Sequence, residues 1–277
     1  MEDYVGKNQC ILDEWRAKFI ENKQLDEEYD GWNLDELFAE DGIMNKGEFY
    51  QEKGIWKRKF SGKNVENESW SKAPLRILFL SKDENLYDYS IPAWDVRTET
   101  FYLKDTERRD TISDSYFYQN EACALYGLLH TDLVHGMMLY DNITWEDALH
   151  FSDDQIFARV NCKKEGGGLN CTNSMLNKAV REYFDYLSRQ LKLLDADIIV
   201  CTGKNSVIHK LNEVYEGKFK RVPEAPEAWY NEEENKLAID CYHLSWPYAS
   251  VGDEVYNSIL QPYFAFLQMH PDFVKHR

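Results

Sequence analysis

Leu75-Arg76-Ile77-Leu78-Phe79-Leu80, followed at once by Ser81-Lys82-Asp83-Glu84-Asn85, is the stretch whose reading decides the fold. A short apolar run that does not alternate, closed by polar residues, is the pattern of a strand buried on both faces of a parallel sheet. Ile156 to Asn161, Asp197 to Cys201 and Leu237 to Tyr242 share it. Between them the sequence predicts helices near Ser115 to Leu129, from Asn173 to Leu194 and near Asn205 to Val214, with a last one from about Asp253 to Gln268. In the second of these Met175, Leu176, Ala179, Val180, Tyr183, Phe184, Leu187, Leu191 and Leu194 keep one apolar face, and Thr172 or Asn173 can cap its start. Strands alternating with helices predict a three-layer α/β/α domain on a central four-stranded parallel sheet.

The chain has 277 residues, 43% of them hydrophobic, enough for one large domain with a proper core. Residues 1–70 read as a helical elaboration on that domain, because Ile11, Trp15, Phe19 and Ile20 recur at helical spacing. Residues 71–277 read as the α/β domain, with an aromatic-rich insertion at about 86–150. No Pro-rich or Gly/Ser linker divides them. No run of about 18 apolar residues offers a membrane span, and Met1-Glu2-Asp3-Tyr4 lacks the charged start and apolar stretch of a signal peptide. A cytoplasmic protein is the expectation. The six cysteines form no C-x-x-C pair, so neither a zinc ribbon nor a disulfide framework is signalled. Cys162 and Cys171 flank Gly166-Gly167-Gly168, but further metal ligands are not apparent. No metal, cofactor or obligatory protein partner is expected.

A formal charge of −17 speaks against a nucleic-acid partner, since phosphate binding usually leaves a basic footprint. Net charge does not fix local potential, however. Lys82, the pair Lys163-Lys164 and Lys204 each follow a predicted strand, and Trp56-Lys57-Arg58-Lys59-Phe60 adds a basic and aromatic stretch. If the strand ends share one sheet edge, the crevice there is positive on an acidic molecule.

The polar residues after each strand carry the chemistry, because ligands of open parallel sheets bind beyond the strands' carboxyl ends. Asp83 and Glu84 are consecutive in an extended segment and point apart, so they are not a carboxylate dyad. A helix-capping turn would use the same residues. Asn161 offers an acceptor and two donors on one flat group, which suits the edge of a base or an amide. The three glycines after it do not complete a phosphate-cradle signature. Thr202-Gly203-Lys204-Asn205-Ser206 opens a helix whose free N–H groups can hold an anion, or is simply a tight connection. His243, in His243-Leu244-Ser245-Trp246-Pro247-Tyr248, is the histidine placed for chemistry, with a structural role as the plain alternative.

Taken in order, strand–Asp83, strand–Asn161, strand–Gly203 with a helix, and strand–His243-Leu244-Ser245 resembles the uracil-DNA glycosylase superfamily. There a water-activating motif, often Gly-Gln-Asp-Pro-Tyr, follows the first strand, a base-reading Asn ends the second, and His-Pro-Ser follows the fourth. Tyr186-Leu187-Ser188-Arg189-Gln190 through Thr202-Gly203 is also similar to the family's helix and third strand. The resemblance covers residues 75 to about 268 and leaves residues 1–70 and the insertion aside. It implies a monofunctional DNA glycosylase acting on a flipped nucleotide, with DNA as the partner. Asp83 would orient water and stabilise the cationic sugar, His243 would stabilise the departing base, and Asn161 would read its edge. Lys82, Lys163, Lys164, Gly203, Lys204 and Ser245 would serve DNA binding, and Trp246 or Tyr248 would fill the gap in the base stack. The tyrosine that shields the C5 side of the pocket in the uracil-specific branch is replaced by Asn85. The expected substrate is therefore a 5-modified pyrimidine such as glucosylated hydroxymethylcytosine, removed in defence against phage. The cysteine spacing of the iron–sulfur cluster found in some relatives is missing. Uracil repair, a catalytically inactive nucleic-acid or protein-binding member of the fold, and hydrolysis of free nucleosides stand as alternatives.

Overall fold

The computed structural model describes residues 2–52, 55–83, 95–100, 116–166, 171–245 and 252–273. In chain order the elements are α1 (Tyr4–Lys23), β1 (Gly42–Ile43), β2 (Phe49–Glu52), β3 (Ile55–Arg58), α2 (Lys63–Ser71), β4 (Ile77–Ser81), α3 (Tyr116–His130), α4 (Trp145–Asp154) and β5 (Ala158–Asn161). There follow α5 (Asn173–Glu182), α6 (Phe184–Leu194), β6 (Ile198–Thr202), α7 (Val207–Val214), β7 (Lys220–Val222), β8 (Ala225–Asn231), β9 (Lys236–Cys241) and α8 (Gly252–Met269). The fold is mixed α/β. Among the described residues no helix is long and apolar enough to cross a membrane.

The four apolar runs form the parallel centre of the sheet, in the order β5-β4-β6-β9. Each is buried on both faces, and alternate residues enter different cores. Leu78 and Leu80 pack with α1, α5, α6 and α7, while Ile77 and Phe79 pack with α3, α4 and α8. The register levels the carboxyl ends, with Ser81 opposite Asn161 and Thr202 opposite Cys241. Residues just past these positions therefore emerge together along one edge.

Among the described residues the sheet has seven strands where four were expected. β1 pairs antiparallel with β5, and β8 and β7 extend the other side antiparallel to β9 and β8. A two-residue strand has no period to read, and β8 carries Pro226 near its start, where a missing N–H is tolerated. Glu232-Glu233-Glu234-Asn235 is the turn between β8 and β9. The expected helix from 173 to 194 is two helices, α5 and α6, separated at Tyr183, whose φ of −120° and ψ of 28° leave the helical region. The break brings the Tyr183 ring against Trp15 and Phe19 of α1.

The first 71 residues carry α1 and α2 but also three strands, so they are not helical throughout. They are joined to the sheet by a buried polar knot. Asp41, just before β1, accepts from the Lys164 ammonium at 2.5 and 2.7 Å, from the Asn161 N–H at 2.7 Å and from Gln190 of α6 at 2.8 Å. Asn8 of α1 bonds both Gln190 and the Asp41 carbonyl. A buried charge stays only where it is paired and hydrogen-bonded, and this one is.

Candidate active site

Beyond β4 and β5 the parallel ladder continues for two more bonds. The Cys162 N–H donates to the Ser81 carbonyl at 2.9 Å and the Lys163 N–H to the Lys82 carbonyl at 2.8 Å. This extension holds Asp83 beside Lys163. The Asp83 side chain is only 10% exposed, and its Oδ2 lies 3.7 Å from the Lys163 Nζ, an ion pair longer than a hydrogen bond. That oxygen has no hydrogen-bond partner among the described residues. Burial pushes the carboxyl up to about 6, against the opposing pull of Lys163 and Lys82. The Cys171 thiol also borders it and is raised to about 11, first by its own burial and then by Asp83. A carboxyl that is hidden, held at a distance from its cation and poised near neutrality is suited to taking a proton rather than to holding a fold together.

His243 stands two residues past β9. Its Nδ1 accepts from the Ser245 N–H at 3.3 Å and faces the Ser245 hydroxyl at 2.8 Å. A backbone N–H can only donate, so in the neutral ring the proton is on Nε2. Burial, aided by Lys82, lowers the affinity of the ring for a second proton, so it is neutral at about pH 7. The turn that carries it is anchored to α3, where Asn120 donates to the Leu244 carbonyl at 2.7 Å. Phe117 of the same helix flanks the imidazole at 6.1 Å.

Gly203 links the two halves. Its N–H donates to the Cys241 carbonyl at 3.1 Å, tying β6 to β9. Its φ of +135° excludes an ordinary side chain, and a Cβ there would meet the Lys82 Cε at 3.0 Å. Because Lys82 acts electrostatically on both Asp83 and His243, the three groups and Gly203 share one neighbourhood. Ser81 and Thr202 close its floor with a 2.8 Å bond between their hydroxyls. Asn161 ends β5 on that floor, buried, its N–H on Asp41 and its carbonyl receiving the Lys164 ammonium at 2.9 Å.

Several expected DNA contacts are placed otherwise. Lys164 is wholly buried on Asp41, Gln190 and the face of Trp15, 4.8 Å from the ring centroid, and cannot meet a phosphate. Lys163 is also buried, donating to the Glu165 carbonyl at 2.7 Å and facing Asp83. Ser245 is turned onto His243. Lys82 is open and reaches Asn173 at 3.3 Å, and Lys204 lies over the Tyr242 ring, 3.9 Å from Glu227. Asn85, Trp246 and Tyr248 lie outside the described residues, as does the insertion between 101 and 115. No protein-family model and no curated protein matches the chain.

The sequence did not single out Asp41, which reaches the site from far upstream, or the pairing of Lys163 with Asp83. For the second a signal existed. Consecutive residues of an extended segment point apart, so Lys163 and Lys164 could not both face the crevice.

Proposed function

We propose that the protein is a monofunctional DNA glycosylase that hydrolyses the N-glycosidic bond of a flipped pyrimidine and leaves an abasic site. The observation that carries the reading is a buried Asp83 carboxyl whose Oδ2 accepts no hydrogen bond among the described residues, together with a neutral His243 presenting Nε2–H, at the ends of two strands in the parallel centre of one sheet. With Asp83 ionised, its carboxylate stabilises the cationic sugar as the C1′–N bond breaks and takes a proton from the water whose oxygen bonds to C1′. The departing base leaves with the bonding electron pair. His243 Nε2–H donates a hydrogen bond to the base oxygen where that charge collects. Asn161 reads the base edge, and Lys82 and Lys204 hold phosphates.

The substrate in this proposal is a 5-modified pyrimidine, such as glucosylated hydroxymethylcytosine in phage DNA, because Asn85 replaces the tyrosine that guards the C5 side in the uracil-specific branch. The setting is cytoplasmic defence. Burial of Lys163 and Lys164 on a chain of charge −17 favours a second reading, a binding protein of this fold without catalysis. The two separate cleanly. Incubating the protein with uracil-containing, unmodified and glucosylated-cytosine DNA, then treating with alkali, should break only the glucosylated strand. Breakage of uracil DNA alone would indicate repair instead, no breakage in any DNA would favour the binding protein, and activity surviving in Asp83→Ala would refute the assigned base.

A further inference from the structure

The loop leaving β5 sends two neighbouring lysines to opposite destinations. Lys164 enters the knot around Asp41, which fixes the loop backbone. Lys163 is thereby aimed at Asp83, with its Nζ 3.7 Å from Oδ2 and its side chain 7% exposed. Among the described residues its Nζ donates to the Glu165 backbone carbonyl at 2.7 Å, which carries no formal charge. The Glu165 carboxylate is turned away, taking the Tyr29 hydroxyl at 2.6 Å and facing Lys23 at 3.7 Å. Asp83 is thus the carboxylate within ion-pair reach of Lys163 among the described residues. The other charged or titratable groups acting on Asp83 are Lys82, next to it in sequence and half-buried, and the Cys171 thiol ahead of α5.

We propose that Lys163 is a positioning residue for the glycosylase reaction: its buried ammonium holds Asp83 in the carboxylate form, ready to receive the proton of the attacking water. This rests on the reading of Asp83 as the base. An ammonium that served the fold alone would be satisfied by the Glu165 carbonyl and would leave the charge state of Asp83 to burial. A buried cation this close opposes burial directly, where half-buried Lys82 is partly screened by water.

The test compares wild type with Lys163→Met, which removes the charge, and Lys163→Arg, which keeps it. On glucosylated-cytosine DNA, Lys163→Met should move the acidic limb of the rate profile up by about one pH unit or more. That lowers the rate about fivefold or more near pH 6 and restores it near pH 9, while Lys163→Arg keeps the wild-type limb. A loss that is the same at every pH, with the limb unmoved, would overturn the proposal. The titration of the Asp83 side-chain carboxyl by 13C NMR, assigned with Asp83→Asn, gives a readout that does not need turnover. If no DNA is cleaved but this resonance titrates higher in Lys163→Met, the glycosylase reading fails and the pairing stands. An unmoved resonance refutes the pairing whatever the activity. Should Lys163→Met not fold, Lys163→Gln is measured in its place.

Discussion

The buried Asp83 carboxyl releases its proton at about pH 6 in the folded protein, against an ordinary value of 3.8. Between these pH values the folded state holds more protons than the unfolded chain, so stability falls as pH rises through that window. Above about pH 6 the penalty is complete. A difference of about two pH units, each worth about 1.36 kcal/mol, makes it roughly 3 kcal/mol. Asp83→Asn removes the titration while keeping the shape. Burying an amide without a full set of partners has its own cost of about 1–3 kcal/mol, but that cost does not vary with pH. It cancels when the variant and wild type are compared at two pH values. Urea unfolding near pH 4, where a small part of the penalty is already present, and near pH 7.5 should therefore show the variant gaining on wild type by about 2.5 kcal/mol at the higher pH. The same variant should be inactive. An equal gap at both pH values would mean that Asp83 is ionised no less easily in the fold than outside it. The picture of a base held ready by burial would then fail.

The wild-type rate on the cleaved DNA should rise through about pH 6 as Asp83 ionises, and a rate independent of pH from 5 to 8 would contradict it. His243→Ala should lower turnover by roughly 10²–10³-fold with little change in DNA binding, because the Nε2–H donor acts on charge that develops only as the bond breaks. Lys164→Met should destabilise the fold by about 3–5 kcal/mol in urea unfolding, since it strands the buried Asp41 carboxylate. A change below about 1 kcal/mol would show the knot to be dispensable. In DNA-binding titrations at several salt concentrations, Lys82→Ala should flatten the slope of log K against log salt by about 0.9, the value of one phosphate contact on duplex DNA. An unchanged slope would remove Lys82 from the DNA surface.

The sequence makes the centre of the fold legible because burial on both faces leaves a mark that depends on no partner. β4, β5, β6 and β9 are largely apolar, and charged exceptions such as Arg159 on Glu121 and Lys236 on Asp195 are buried only as ion pairs. α3 and α8 each show a long apolar face and lie within about two residues of their expected bounds. The elements at the margins behave differently. β1 is a strand only because β5 offers it an edge, and β7 and β8 owe their pairing to β9. Nothing in Gly42–Ile43 by itself specifies that outcome. The break at Tyr183 has the same origin, for its ring goes to Trp15 and Phe19, which lie more than 160 residues away in sequence.

The candidate site divides along the same line. Asp83, Asn161, Gly203 and His243 are legible as residues at strand ends, since topology alone delivers strand ends to one edge. What each residue does there depends on contacts with distant parts of the chain. Lys163 and Lys164 have the same chemistry and adjacent positions, and charge alone assigns both to phosphates. Asp41, 123 residues from Lys164, takes one of them out of the crevice and leaves the other against Asp83. The positive charge at this edge of an acidic molecule is therefore in large part internal. It acts on the carboxyl that would perform the chemistry rather than on the strand that would carry the base, which makes the pH profile of Lys163 variants more diagnostic of this site than the strength of DNA binding.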